Sequence, residues 1–207
     1  MPPHPESAPA DAGNRKPAAA GFALDPARTA LLVMHYQTDI MALFPAVAPT
    51  LLAKTRALCE GGAAQGRRRV FRPDRLRPGL PGSQSAEQER AGHQAAGPVR
   101  GRRNFPGTRQ AADEPLILAH RASVFFGTDL ELRLSAAGVD TLVMAGIAST
   151  GVMLSSIAYA SDADFRLYTV KDCCYDPDPV VHEHLFATAF ESRSTVLSQA
   201  EALSLLA

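Results

Sequence analysis

Among the 207 residues, the side chains that best suit acid–base or covalent chemistry by position lie at the ends of apolar runs. His35 closes the run TALLVMHY. An imidazole titrates near neutral pH, so His35 could serve as a general base, though the reading to expect first is a hydrogen-bonded histidine at a strand end. Ser149 and Thr150 lie in GIASTG, just past the apolar run from Leu142 to Ala145, with Ser155 a little further on. A hydroxyl from this set beside His35 would supply a nucleophile with its base. The cysteines, Cys59, Cys173 and Cys174, are odd in number with two adjacent, which fits neither a disulfide framework nor a metal-ligand spacing. Cys59 falls in a helical pattern and is expected as a buried, inert thiol, and Cys173 and Cys174 are expected to pack or cap. Neither a metal nor a cofactor is expected.

These residues need a scaffold, and Asp140 to Asp172 supplies its centre. Leu142 to Ala145, closed by Gly146, suits a parallel strand buried on both faces. From Val152 onward Leu154, Ile157 and Ala158 recur at helical spacing, and Phe165 to Val170 returns as a strand rich in aromatic and β-branched residues. The result is one βαβ unit. Ligands of such sheets bind beyond the carboxyl ends of the strands, so Gly146 to Gly151 is the first place to look for chemistry. Backbone N–H groups at the start of the following helix could hold an anion there.

Before this unit, Thr29 to Tyr36 is a strand, Thr50 to Ala63 a helix with Leu51, Leu52, Leu58 and Cys59 on its apolar side, and Pro115 to Leu118 a strand. Thr128 and Glu131 have capping-box spacing for a helix that Gly138 ends. After it, Asp178 and Pro179 start a helix with Val181, Leu185 and Ala189 as its apolar side. Ser194 to Leu197 forms a last strand, and Ser198 with Glu201 makes a capping box for the terminal helix.

Lys+Arg and Asp+Glu both number 21, so charge gives no reason to expect nucleic acid or an anionic membrane as partner. No apolar run approaches the ~20 residues that span a bilayer, and the chain reads as cytoplasmic. Residues 1–21, dominated by Pro, Ala and Gly, are expected as a disordered tail, and residues 22–207 as a single domain.

The run TALLVMHYQTD is similar to the first strand of isochorismatase-like cysteine hydrolases, usually L-L-V-I-D-M-Q-N-D-F, with Leu31, Leu32, Val33, Gln37 and Asp39 in matching positions. HRASVFFGTDL resembles the family segment K-x-R-x-S-A-F-x-G-T-D-L through Arg121, Ser123, Phe125, Gly127, Thr128 and Leu130. GIASTGVM resembles its nucleophile turn, G-V-x-T-x-x-C-V, from Gly146 through Ser149. The resemblance implies an α/β fold, a doubly wound parallel sheet with helices on both faces, assembled into homo-oligomers. It also implies hydrolysis of a small amide or carbamoyl compound through a Cys thioester, or, in isochorismatase proper, of a vinyl ether with Gly at the Cys position. By that resemblance the family's Asp and Lys fall here on His35 and Ala119, and its Cys on Val152, or on Gly151 if the turn slips by one residue. His120 is one residue from the lysine position and in an extended chain would point to the opposite face. A valine cannot attack a carbonyl, so two readings stay open. One is a family hydrolase without thiol chemistry, drawing on His35, Ser149 or Thr150. The other is a binding or scaffold protein holding a small carbonyl or carboxylate ligand with Gln37, Arg121 and the turn at Gly146, Ser149 and Gly151.

Residues 66–110 stand apart. They hold 11 of the 18 arginines, mixed with Gly and Pro, and hardly any aliphatic residues. With only Phe71 and Phe105 as aromatics the segment lacks the stacking platforms of an RNA binder. No strand of normal length is expected in it. A CGX arginine codon read one nucleotide later begins GX, the start of Val, Ala, Asp, Glu or Gly codons. Under that shift RRRVFRPDRLRP becomes compatible with the family's V-x-V-F-F-V-R strand and the loop after it. The segment is therefore expected to be frameshifted and irregular.

Overall fold

Thr29–Met34 (β1, TALLVM) and Thr141–Gly146 (β4, TLVMAG) are buried at all six positions each and lie side by side in parallel, from Thr29 opposite Thr141 to Met34 opposite Gly146. Uninterrupted apolar runs of this kind belong at the centre of a parallel sheet covered on both faces. The computed structural model describes residues 24–63, 69–75 and 116–207. The tail at 1–21 and most of 66–110 lie outside them.

Six parallel strands run in the order β3-β2-β1-β4-β5-β6, with β2 at Arg69–Arg75, β3 at Leu116–Ala119, β5 at Arg166–Val170 and β6 at Thr195–Leu197. This is the doubly wound order, which reverses between β1 and β4. Helix α2 (Ala48–Ala63) leaves β1 in one direction and α4 (Leu154–Asp162) leaves β4 in the other. Right-handed crossovers therefore put them on opposite faces. The short helix α1 (Thr38–Met41) precedes α2, α3 (Leu130–Ala136) lies between β3 and β4, and α5 (Pro179–Leu185) and α6 (Gln199–Leu206) flank β6. Helix α6 packs on α2, and Lys54 of α2 reaches Asp172 at 2.9 Å while the same carboxylate accepts from Gln199 N at 2.6 Å.

The strand β2 corrects the expectation that residues 66–110 hold no strand. Its backbone pairs with β1 from Ala30 opposite Arg69 to Leu32 opposite Phe71, and with β3 from Arg72 opposite Leu116 to Arg75 opposite Ala119. Parallel pairing uses backbone groups common to every residue but proline, so the open edge of β1 can recruit a segment whose composition does not advertise a strand.

Two local expectations also change. Thr128 and Glu131 form no capping box. The N-cap of α3 is Asp129, the Thr128 hydroxyl donates to Val124 O at 2.7 Å, and Glu131 accepts from the Tyr159 hydroxyl of α4 at 2.6 Å. A tertiary partner has taken the carboxylate that the box would have used. Val181 is not on a buried side of α5, which contributes no buried residue at all. Two other caps form as read. Asp178 accepts from Val180 N and Val181 N with Pro179 in the first turn, and Ser198 and Glu201 make a complete box. Among the described residues no helix is long and apolar enough to cross a membrane.

Candidate functional site

The carboxyl ends of β1, β3 and β4 share one edge of the sheet, and each carries one of the three positions singled out by the sequence. At the end of β4, Gly146 leaves room for the chain to fold back. A Cβ there would sit 3.0 Å from Val152 Cγ1 and Met153 Sδ and 3.2 Å from Met34 Cβ. Val152, at the expected nucleophile position, is thus a hydrophobe packed over the strand end, with 2% of its surface exposed.

The intervening residues Ser149–Met153 form a π-helical turn, closed by Met153 N donating to Ala148 O at 3.3 Å, before α4 begins at Leu154. Its polar groups are engaged by the segment after β5. Ser149 N donates to Tyr175 O at 3.0 Å, and the fully buried Ser149 Oγ shares a 2.8 Å hydrogen bond with Nδ1 of His182. Thr150 N and Oγ1 both donate to Asp176 Oδ2, at 2.8 and 2.7 Å, and Asp178 N donates to Oδ1 of the same buried carboxylate at 3.2 Å. Ser155 Oγ donates to Gly151 O at 2.9 Å. The His182 ring lies 4.8 Å from that of Phe186, and burial lowers its pKa below the ordinary imidazole value.

The Ser149–His182 separation would suit a nucleophile and its base, but with no exposed surface the hydroxyl meets no substrate in this conformation. The bond ties the turn to α5. Sequence reasoning overlooked both His182 and Asp176. The N-cap at Asp178 was the available signal, since it fixes the start of α5, the helix that carries His182.

At the end of β1 the chain bends at His35, whose φ of 65° is in the left-handed region. Non-glycine residues rarely adopt it, histidine more readily than most, and such conformations concentrate at functional sites. His35 is 4% exposed and Gln37 is also buried. Tyr36 between them is buried and donates its hydroxyl to Cys173 O, which anchors the bend to the segment after β5.

At the end of β3, Ala119 stands at the position of the family lysine and is wholly buried. Arg121, expected to hold a ligand, turns back on the chain, with Nη1 donating to His120 O at 2.8 Å. The structure therefore brings Gln37, Arg121, Gly146, Ser149 and Gly151 to one sheet edge, on three different strand ends.

None of the thiols supplies a nucleophile. Cys59, Cys173 and Cys174 form no disulfide and are all buried. Burial pushes Cys173 up to about 12 and raises Cys174 as well, so both stay protonated at neutral pH. Among the described residues no group of three His, Cys, Asp or Glu side chains could hold a metal ion.

The model of the isochorismatase domain matches residues 29–201. Phenazine biosynthesis protein PhzD1 of Pseudomonas aeruginosa is 29% identical over 194 residues, 89% of each chain. Maleamate amidohydrolase of Pseudomonas putida is 38% identical over 72 residues, 35% of this chain and 34% of that one. Of the curated relatives matched, the chain thus covers about a third of one and nearly all of another. Among solved structures, an isochorismatase family protein from Desulfovibrio vulgaris superposes with a TM-score of 0.72 at 21% identity, over 86% of this chain and 98% of that one. N-carbamoylsarcosine amidase from Thermoplasma acidophilum gives 0.69 at 22% identity, over 83% and 96%. These structures share the fold. With the sheet order, the three strand-end motifs and the domain match agreeing, the chain belongs to the isochorismatase family, with a hydrolase fold and amidohydrolases among its relatives.

Proposed function

We propose that this chain is a small-molecule hydrolase that works without a covalent thioester, with His35 as the acid–base group and water as the attacking group. The observation that carries the reading is the pairing of Val152 with His35. The nucleophile position is filled by a buried hydrocarbon, while the position of the family's acid–base residue holds a titratable imidazole on a left-handed bend. Hydrolysis of this kind needs a proton donor or acceptor and a positioned water, and an imidazole at the carboxyl end of β1 is a group of the right chemistry for the first. The names of two relatives, maleamate amidohydrolase and N-carbamoylsarcosine amidase, suggest the substrate class. It is a small amide or carbamoyl compound that also carries a carboxylate, and vinyl ethers with a carboxylate are the second class to try.

A specific observation favours the second reading, a binding protein without catalysis. Two of the three triad-equivalent positions, Ala119 and Val152, are buried apolar residues. Incubating the protein with maleamate, N-carbamoylsarcosine, nicotinamide and a carboxylate-bearing vinyl ether separates the two. Turnover that survives a thiol-blocking reagent and is lost in His35→Ala is expected. Turnover in Ser149→Ala equal to that of the wild type would leave the hydroxyl a structural role, and its abolition there would make Ser149 the nucleophile. Measurable affinity with no turnover for any of the four would replace the hydrolase reading with the binding one.

A further inference from the structure

The strand β3 ends at Ala119, and His120 lies in a bend, so the alternation of faces along an extended chain no longer fixes where its ring points. Its Nδ1 atom is buried and has no hydrogen-bond partner among the described residues. Its carbonyl is occupied by Arg121 Nη1 at 2.8 Å, which fixes the backbone on which the ring is mounted. A buried polar side-chain atom without a partner is uncommon in folded proteins, because it forfeits its bond to water and gains nothing in exchange. This one sits beside Ala119, at the carboxyl end of a parallel strand, where ligands of such sheets bind.

From this position we infer that His120 is a specificity-determining residue, whose Nδ1–H donates a hydrogen bond to a carbonyl or carboxylate oxygen of the bound small molecule. The inference rests on the small-ligand reading above and deepens it. Nothing among the described residues satisfies Nδ1, so a ligand oxygen there would complete the site rather than compete with an existing contact. With Ala119 unable to offer any charge, the imidazole is the polar group that the end of β3 presents to a ligand. Arg121 is committed to backbone and shapes the bend.

The test compares His120→Leu and His120→Asn with the wild-type chain, using maleamate and N-carbamoylsarcosine as probes in titration calorimetry and a thermal melt without ligand. Asparagine places an amide N–H near the position of Nδ1, and leucine offers no donor. The expected result is about tenfold or greater loss of probe affinity in His120→Leu and near-wild-type affinity in His120→Asn. The unliganded Tm of His120→Leu should be unchanged or higher, since an unsatisfied buried polar atom has been removed. Equal affinity in wild type and His120→Leu overturns the inference while leaving the small-ligand reading intact. A lower unliganded Tm in His120→Leu overturns it too, because it makes the residue structural. Failure of the wild-type chain to bind either probe overturns the inference together with the ligand class on which it rests.

Discussion

The end of β4 and the end of β3 lie along the same carboxyl edge of the sheet and are built in opposite ways. At β4 the polar groups of the turn are matched from within the protein: the Ser149 hydroxyl by His182, the Thr150 amide and hydroxyl by Asp176, and the Ser149 amide by Tyr175 O. At β3 the chain offers a buried methyl group at Ala119, a buried imidazole nitrogen without a partner among the described residues, and an arginine bound to the carbonyl of His120. A self-satisfied cluster reports on stability when cut, because the groups left behind lose partners they cannot replace. An unsatisfied one reports on ligand affinity. Substitutions at β4 should therefore move the melting curve, and substitutions at β3 the binding curve.

The largest effect is expected at Asp176, whose buried carboxylate accepts three hydrogen bonds from Thr150 and Asp178. Asp176→Ala strands two backbone amides and should cost about 3 kcal/mol, which for a domain of this size lowers Tm by about 6 to 12 °C. Asp176→Asn keeps the shape and should cost clearly less. Urea denaturation of both variants checks the pair, and a loss under about 1 kcal/mol for Asp176→Ala would break the contrast between the two strand ends.

His182→Ala comes next. It leaves a fully buried Ser149 hydroxyl without its partner and removes the ring beside Phe186, for an expected loss of about 2 kcal/mol. Ser149→Ala should cost less, about 1 kcal/mol, since the half-buried imidazole it releases can turn to water. A double-mutant cycle sharpens the point. Additive effects of Ser149→Ala and His182→Ala would mean that the 2.8 Å bond contributes nothing, whereas coupling of at least 0.5 kcal/mol is expected for side chains in contact.

What was legible in the sequence follows from how local each signal is. β1 and β4 announce themselves as apolar runs, and the α6 capping box lies within four consecutive residues, so both needed no tertiary information. The Thr128–Glu131 spacing was equally local and misled, because Tyr159, 28 residues away, draws Glu131 off. β2 was missed because its identity comes from the edge of β1 rather than from its own composition. The two ties that define the β4 turn join residues 33 and 26 apart, His182 to Ser149 and Asp176 to Thr150. No spacing rule reaches that far, whereas Gly146 and Ser149 were visible because they sit within one turn of the strand that carries them.

The smallest predicted effect is on pH dependence, and it tests the same turn. Burial, the largest influence on His182, lowers its pKa, and its neighbour Glu183 opposes the shift. The unfolded chain therefore takes up a proton at about pH 6.5, while the folded chain still resists it. Below that pH the unfolded state binds more protons than the folded state, so stability falls as pH falls and levels off once the folded imidazole is also charged. The contribution of His182 is fully present above about pH 7 and is lost on acidification through the imidazole range. A His182→Gln variant removes the titrating group. Its stability, measured by urea unfolding at steps between about pH 7.5 and 5, should fall less steeply than that of the wild type over the same range. Parallel slopes for the two proteins would show that His182 is as easily protonated folded as unfolded. That would contradict the burial of its ring against Phe186 and reduce the Ser149 contact to a surface hydrogen bond open to water.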